Sequence, residues 1–268
     1  NRQDDFILVA PGEFVLDSSL VYDPDDDEEY GIFIGGYTLN KPVIKGSENM
    51  RSILMHIQYA PCLSCWEAKK AQVLIADLVF TDSFNPEGTA GLFIFRRNET
   101  VTVANCKFSD LIAYGDGALG GLGILISNGT VVMSNNIFVD NVAHEVGGAA
   151  ISSSGSELIV HNNTFYSNTS PGVGGLAINW DTRNWDNEVN SYIFNNIIFG
   201  NDGLAIKDFY FDIYVSSGLD WPYILVDSNV IGEGSRHIEF ERIFHPDDYD
   251  PVDAINTIHL DPLLDLNF

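Results

Sequence analysis

Residues 135–141 read Asn135-Asn136-Ile137-Phe138-Val139-Asp140-Asn141, and residues 162–168 read Asn162-Asn163-Thr164-Phe165-Tyr166-Ser167-Asn168. Two Asn, a Phe and a third Asn recur at matching places, 27 residues apart. Self-similarity at such a period marks one structural unit stacked on copies of itself. Related segments lie on both sides: Ala76-Asp77-Leu78-Val79-Phe80, Asn105-Cys106-Lys107-Phe108, Asn195-Asn196-Ile197-Ile198 and Ser228-Asn229-Val230-Ile231. With Asp77, Cys106, Asn136, Asn163, Asn196 and Asn229 as pivots, the spacings are 29, 30, 27, 33 and 33.

A second motif runs in phase. Gly91-Leu92-Phe93-Ile94, Gly121-Leu122-Gly123-Ile124, Gly148-Ala149-Ala150-Ile151, Gly175-Leu176-Ala177-Ile178 and Gly203-Leu204-Ala205-Ile206 share the form Gly-(Leu/Ala)-x-Ile. From that Ile to the next pivot is 12 residues in three consecutive repeats. Between the motifs lie short β-branched runs such as Val101-Thr102-Val103 and Leu158-Ile159-Val160, punctuated by Gly and Asn. Helical stretches between them are missing. The reading is a solenoid of roughly eight coils, each sharing its core with its neighbours. Ile ladders (94, 124, 151, 178, 206) and a Phe ladder (108, 138, 165) point inward. An Asn ladder sits at a turn, where Asn tolerates left-handed backbone.

Phe138-x-x-Asn141 with Gly147-Gly148-Ala149, and Phe165-x-x-Asn168 with Gly174-Gly175-Leu176, resemble the FxxN and GGA repeats of polymorphic outer-membrane proteins and bacterial surface β-helices. The pattern as a whole resembles the right-handed parallel β-helix of the pectin-lyase-like superfamily. Phe6–Phe14, Lys41–Gly46 and Asp261–Asp265 are similar to the terminal coils of that family. The resemblance implies an all-β fold, a single-stranded right-handed parallel β-helix spanning residues 1–268. In it, 1–60 form an N-terminal cap and first coils, 61–235 the regular coils, and 236–268 a C-terminal cap. It leaves activity open, since this fold hosts lyases, hydrolases, epimerases and adhesins.

Insertions in a solenoid collect on one face and often build a binding site. The Ile-to-pivot offset grows to 18 after Ile178 and to 23 after Ile206. Loop insertions are therefore expected at 61–72, 179–192 and 208–223. The last two hold Trp180, Trp185 and Trp221 among Asp, Asn and Tyr. Aromatic rings offer area to the C–H face of a sugar, and carboxylates and amides bond its hydroxyls. Asn179, Trp180, Trp185, Tyr210 and Trp221 are the expected substrate-binding residues, the alternative being aromatics that only pack their own loops. In related β-helix enzymes the outward strand face carries the catalytic groups, here Phe95, Leu125, Ser152, Asn179 and Lys207. Lys207, Asp208, Asp181 and Arg183 are the catalytic candidates: a base for uronate β-elimination, or an acid pair for hydrolysis. The signature motifs of pectate lyases and polygalacturonase-like hydrolases are missing from the chain.

The 38 Asp and Glu against 13 Lys and Arg give a net charge of −25, while apolar residues make up 45%. Enough aromatic residues are present to bury a core, so the chain folds. Its charge argues against nucleic acid and anionic lipid as partners, and no apolar run is long enough to span a bilayer. The expected partner is a polysaccharide or cell-surface glycan, met by a monomer outside the cell or at its surface. The start at Asn1 rather than Met reads as a processed or excised fragment. Asp25, Asp26 and Asp27, in the run Asp23–Glu29, form either a Ca²⁺ site or a solvated acidic loop. Cys62 and Cys65 suit a local disulfide or spectator thiols more than a metal, leaving Cys106 alone. Ser64-Cys65-Trp66-Glu67 resembles a capping box for a short helix around Glu67–Val73. Asn98, Asn128 and Asn168 head glycosylation sequons.

Overall fold

The structure, a computed structural model, describes residues 4–22, 31–57, 72–97, 99–181, 190–203, 209–214, 224–232, 252–255 and 258–260. For 180–181, 209–214 and most of the last rungs the description is of backbone. All described regular structure is β, and it winds into three parallel sheets. The first sheet runs Asp5–Leu8, Ile32–Gly35, Gln72–Ala76, Thr100–Ala104, Thr130–Ser134, Glu157–His161, Ser191–Phe194, Ile224–Asp227 and Val252–Ile255. The second runs Glu13–Leu16, Val43–Gly46, Val79–Asn85, Lys107–Ala113, Ile137–Val139, Thr164–Tyr166, Ile197–Phe199, Val230–Gly232 and Ile258–Leu260. The third holds Leu20–Tyr22, Met55–Ile57, Leu92–Arg97, Leu122–Ser127, Ala149–Ser154, Leu176–Asp181 and Phe209–Tyr214. Each strand pairs in parallel with its equivalent one turn away, as in Ile124 with Ile94 and Ile151.

About six turns, from Asp5 to Asn179, show all three sides with their side chains. The repeats suggest roughly eight coils, and about six are described in this full form. Among the described residues there is no helix. Residues 58–71, which include most of the expected one, lie outside the described residues. Gln72 and Val73 open a strand, where Val73 pairs with Ile32 and Val101. A β-branched side chain fits that inward rung.

The bore is filled by ladders. Ile94, Ile124, Ile151 and Ile178 are at most 2% exposed. Phe80, Phe108, Phe138 and Phe165 are fully buried, with successive ring centroids 5.0, 4.8 and 4.6 Å apart and planes within 8°. Those distances match the ~4.8 Å rung spacing of a sheet, so each ring stacks on the next rather than filling a gap. The left-handed turn falls one residue before the ladder Asn. Asp77, Asn105, Asn135, Asn162, Asn195 and Ser228 have φ between 53° and 57°. These residue types bear that conformation at least cost.

The equivalent of Cys106 is Leu78, because Lys107 pairs with Val79. The first pivot is thus Leu78 and not Asp77. The ladder Asn then turn inward. Asn136 Nδ2 donates to the Asn163 Oδ1 at 3.0 Å, Asn163 to Asn196 at 3.0 Å, and Asn196 to Asn229 at 2.9 Å. A second ladder, Asn141–Asn168–Asn201, repeats the arrangement at 2.8 and 2.7 Å. Asn168 is fully buried within it, which closes its sequon to modification in the folded chain. Cys106 ends the first ladder: its backbone N–H donates to Asn136 Oδ1, and burial pushes its thiol up to about 12.

The Gly-Gly motif has a steric cause. A Cβ at Gly147 would lie 2.6 Å from the Gly174 carbonyl, and one at Gly148 would lie 2.4 Å from that of Gly175 and 2.9 Å from the Phe165 ring. Only residues without a side chain let these corners stack at rung spacing. Gly148→Ala must push two turns apart where backbone bonds hold them, and overpacking of that kind costs about 2–3 kcal/mol. The expected result is a lower urea midpoint for unfolding; an unchanged midpoint would show that the corner can yield.

Candidate functional site

The third sheet alternates strictly. Leu122, Ile124 and Ile126 face the bore, so Gly123, Leu125 and Ser127 face out. Register extends these into three outward columns running along the solenoid axis. The first is Phe93, Gly123, Ala150, Ala177 and Tyr210; the second is Phe95, Leu125, Ser152, Asn179 and Asp212; the third is Arg97, Ser127, Ser154, Asp181 and Tyr214.

Small residues make the first column a floor. Val146 and Val173, joined to Leu119 by parallel bridges, pack beside Ala150 and Ala177 and form one wall. Leu125, Ser152 and Asn179 form the other. At one end the floor is closed: a Cβ on Gly123 would lie 2.6 Å from both Leu119 and Phe93, and His56 meets Phe93 edge-on at 5.4 Å. Phe95 and Leu125 are each 39% exposed there. Toward the other end the columns become polar and aromatic, with Asn179 exposed and in register with Asp212.

Register also decides where the expected site residues fall. Asn179, Asp181 and Tyr210 come together on two adjacent rungs. The neighbour of Asn179 is Asp212 instead of Lys207, because Ile178 pairs with Phe211 and Leu176 with Phe209. The sequence Gly203-Leu204-Ala205-Ile206 only imitates the motif, since Gly203 pairs with Ser170 in the second sheet. In register, the ladder position of Ile178 is followed by Phe211; Ile206 lies outside the described residues. Trp180 takes the column of Arg96, Ile126 and Ser153, all buried. Lys207, Asp208, Arg183, Trp185, Trp221 and Asp25–Asp27 lie outside the described residues. Asp212 and Tyr214 escaped the sequence reading, although the alternation Tyr210-x-Asp212-x-Tyr214 carries the signal of one strand face.

Long stretches between described strands share one place in the repeat. Residues 23–30, 58–71, 182–189 and 215–223 all follow third-sheet strands, while ordinary turns cross that corner in two residues, as from Ser127 to Thr130. Asp181 and Tyr214, the last residues before two of them, are paired.

Among the described residues, the charged positions at the polar end of these columns are Asp181 and Asp212. Arg97 lies at the opposite end of its column. Arg96 turns inward, 4% exposed, to meet Glu99 at 3.3 Å; burial holds the Glu99 carboxyl above the usual range, and Arg96 only partly opposes this. Among the described residues no three His, Cys, Asp or Glu are grouped to hold a metal ion. Among the described residues no helix is long and apolar enough to cross a membrane.

Residues 62–241 match the family model for the right-handed β-helix region. No curated protein and no solved structure matches the chain. The family match covers 180 of the 268 residues, and the stacked parallel rungs of the described residues agree with it; the chain belongs to the right-handed β-helix family.

Proposed function

We propose that this protein binds a polysaccharide on the outer face of its third sheet, at the rungs Leu176–Asp181 and Phe209–Tyr214, outside the cell or at its surface. The observation that carries the reading is the register of those rungs, which sets Asn179 beside Asp212 and brackets them with Tyr210, Asp181 and Tyr214. Amides and carboxylates bond sugar hydroxyls, and Tyr supplies both ring surface and a hydroxyl. The floor of Gly123, Ala150 and Ala177 gives an extended chain a low path along the axis. The net charge of −25 favours a neutral or cationic glycan over a uronate. Binding without cleavage, as in an adhesin, is the simplest form of this function.

A second reading, hydrolysis, draws on Asp181 and Asp212. They stand on adjacent rungs two residues apart along the strand, which sets their Cα atoms roughly 8 Å apart. Glycoside hydrolysis uses such a pair of carboxyls flanking the scissile bond.

The test is a glycan array probed with the full chain and with Tyr210→Ala/Asp212→Asn. Binding is expected to weaken at least tenfold in the double variant, with an unaltered unfolding midpoint. Equal binding by both would sink the proposal. Release of reducing ends from a bound glycan, abolished by Asp181→Asn, separates hydrolysis from binding alone.

A further inference from the structure

The first turn differs from those beneath it. Ile34, Ile44 and Met55 of the second turn are at most 7% exposed, yet Ile7, Phe14 and Leu20, paired with them in the first turn, are 48%, 40% and 42% exposed. These six residues line an apolar cavity of about 350 Å³ at that end of the bore. Around it Phe6, Leu8, Val15 and Val21 are 74%, 65%, 54% and 54% exposed.

The backbone at this end is open as well. Asp5 and Val9 donate to the carbonyls of Gly31 and Gly35, Leu20 donates to that of Leu54, and Ser47 donates to that of Leu16. Alternate residues of an interior parallel strand bond to opposite neighbours. Phe6, Leu8, Val15 and Val21 therefore turn their N–H and C=O groups toward the side where, among the described residues, no strand stacks. An open edge of this kind is a template for another strand.

Three ligand classes would cover the cavity, and the surroundings separate them. A small apolar molecule fills the cavity and leaves the strand edges unpaired. A second copy would bring its own Asp4, Asp5, Glu13 and Asp17 against the same four, under a charge of −25 on each chain. Lys45 answers only Glu13 among these. An extended polypeptide pairs the edges, inserts alternate apolar side chains into the bore and opposes the acidic rim if its other residues are basic.

We propose that the open end of the first turn binds, by strand addition, a partner polypeptide in which apolar residues alternate with Lys or Arg. This end lies apart from the third-sheet rungs assigned to the glycan, and the two proposals stand or fall separately.

The probe is a twelve-residue peptide alternating Val or Ile with Lys, titrated calorimetrically into the full chain. Binding is expected, together with at least tenfold weakening on raising the salt from low to physiological strength. A peptide with Glu for Lys and one with alternate backbone amides N-methylated should each bind at least tenfold more weakly. Val15→Pro removes one outward N–H, at an edge position where Pro is tolerated, and should weaken binding by a similar factor without lowering the unfolding midpoint. Should Val15→Pro disturb folding, the N-methylated peptide still tests the backbone pairing on the unchanged protein. Equal affinity for the Lys, Glu and N-methylated peptides, or no binding of any, overturns the proposal. So does a concentration-dependent dimer that Val21→Lys dissolves, which would make the occupant a second copy.

Discussion

Asn163→Ala is expected to cost about 4 kcal/mol of stability, read as a lower urea midpoint. Asn163 Oδ1 accepts from both the backbone N–H and the Nδ2 of Asn136, each at 3.0 Å. Its Nδ2 donates to the Met133 carbonyl at 2.9 Å and to Asn196 Oδ1 at 3.0 Å. Truncation removes these contacts where water cannot replace them, since Asn136, Asn163 and Asn196 are each 1% exposed. Two buried groups, the Asn136 N–H and the Met133 carbonyl, then lose their side-chain partner, at about 1–3 kcal/mol apiece. Asn163→Asp should cost more at neutral pH. It keeps the acceptor but turns an oxygen toward three other acceptors, the Met133 and His161 carbonyls and Asn196 Oδ1, and buries a charge. Asn162→Gly is the contrasting change. That side chain is exposed and its φ is 56°, so Gly suits the site and the midpoint should move by less than about 0.5 kcal/mol. A loss at position 163 no larger than at 162 would refute the ladder as a stabilising element.

The ladders also explain what could be read in the sequence. Asn136, Asn163 and Phe138, Phe165 repeat because each rung imposes the same chemistry on the next, so residue type alone reports the fold. The reading slipped where the type changes while the place does not. Leu78 stands in the buried position of Asn136, and the eye moves to the polar Asp77 beside it. Similarly Phe209–Tyr214 is a third-sheet rung without a Gly-x-x-Ile signature, and the motif-like run from Gly203 stands five residues ahead of its register position. That displacement hid Asp212 and put Lys207 next to Asn179. The second outward column repeats no residue type from rung to rung, as Phe95, Leu125, Ser152, Asn179 and Asp212 show. A site on such a face is therefore legible only through register, which the inward residues set.

Register, in turn, depends on the Phe stack, and Phe138→Ala should cost about 4 kcal/mol. Phe138 lies between Phe108 and Phe165, with centroids 4.8 and 4.6 Å away and both planes within 2°. It fits because Gly121 opposite has no side chain; a Cβ there would lie 2.9 Å from the ring. Truncation loses the buried ring and leaves a cavity, a change that costs about 3–5 kcal/mol for Phe to Ala. Both stacking contacts go with it. Gly121 cannot fill the space, and the rigid rungs on either side hold the turn open. In a solenoid, stability is a sum over turns and the contacts between neighbouring turns, so a defect in the middle weakens the coupling of the two halves. Phe138→Ala should therefore lower the slope of the urea transition as well as its midpoint, the halves unfolding separately. Phe80→Ala provides the comparison. Phe80 stacks on Phe108 at 5.0 Å and faces Ile44 across the other rung, nearer the end of the stack. Its loss should lower the midpoint while leaving the slope intact. Equal slopes for the two variants would mean that the turns unfold as one cooperative block whatever happens to the stack.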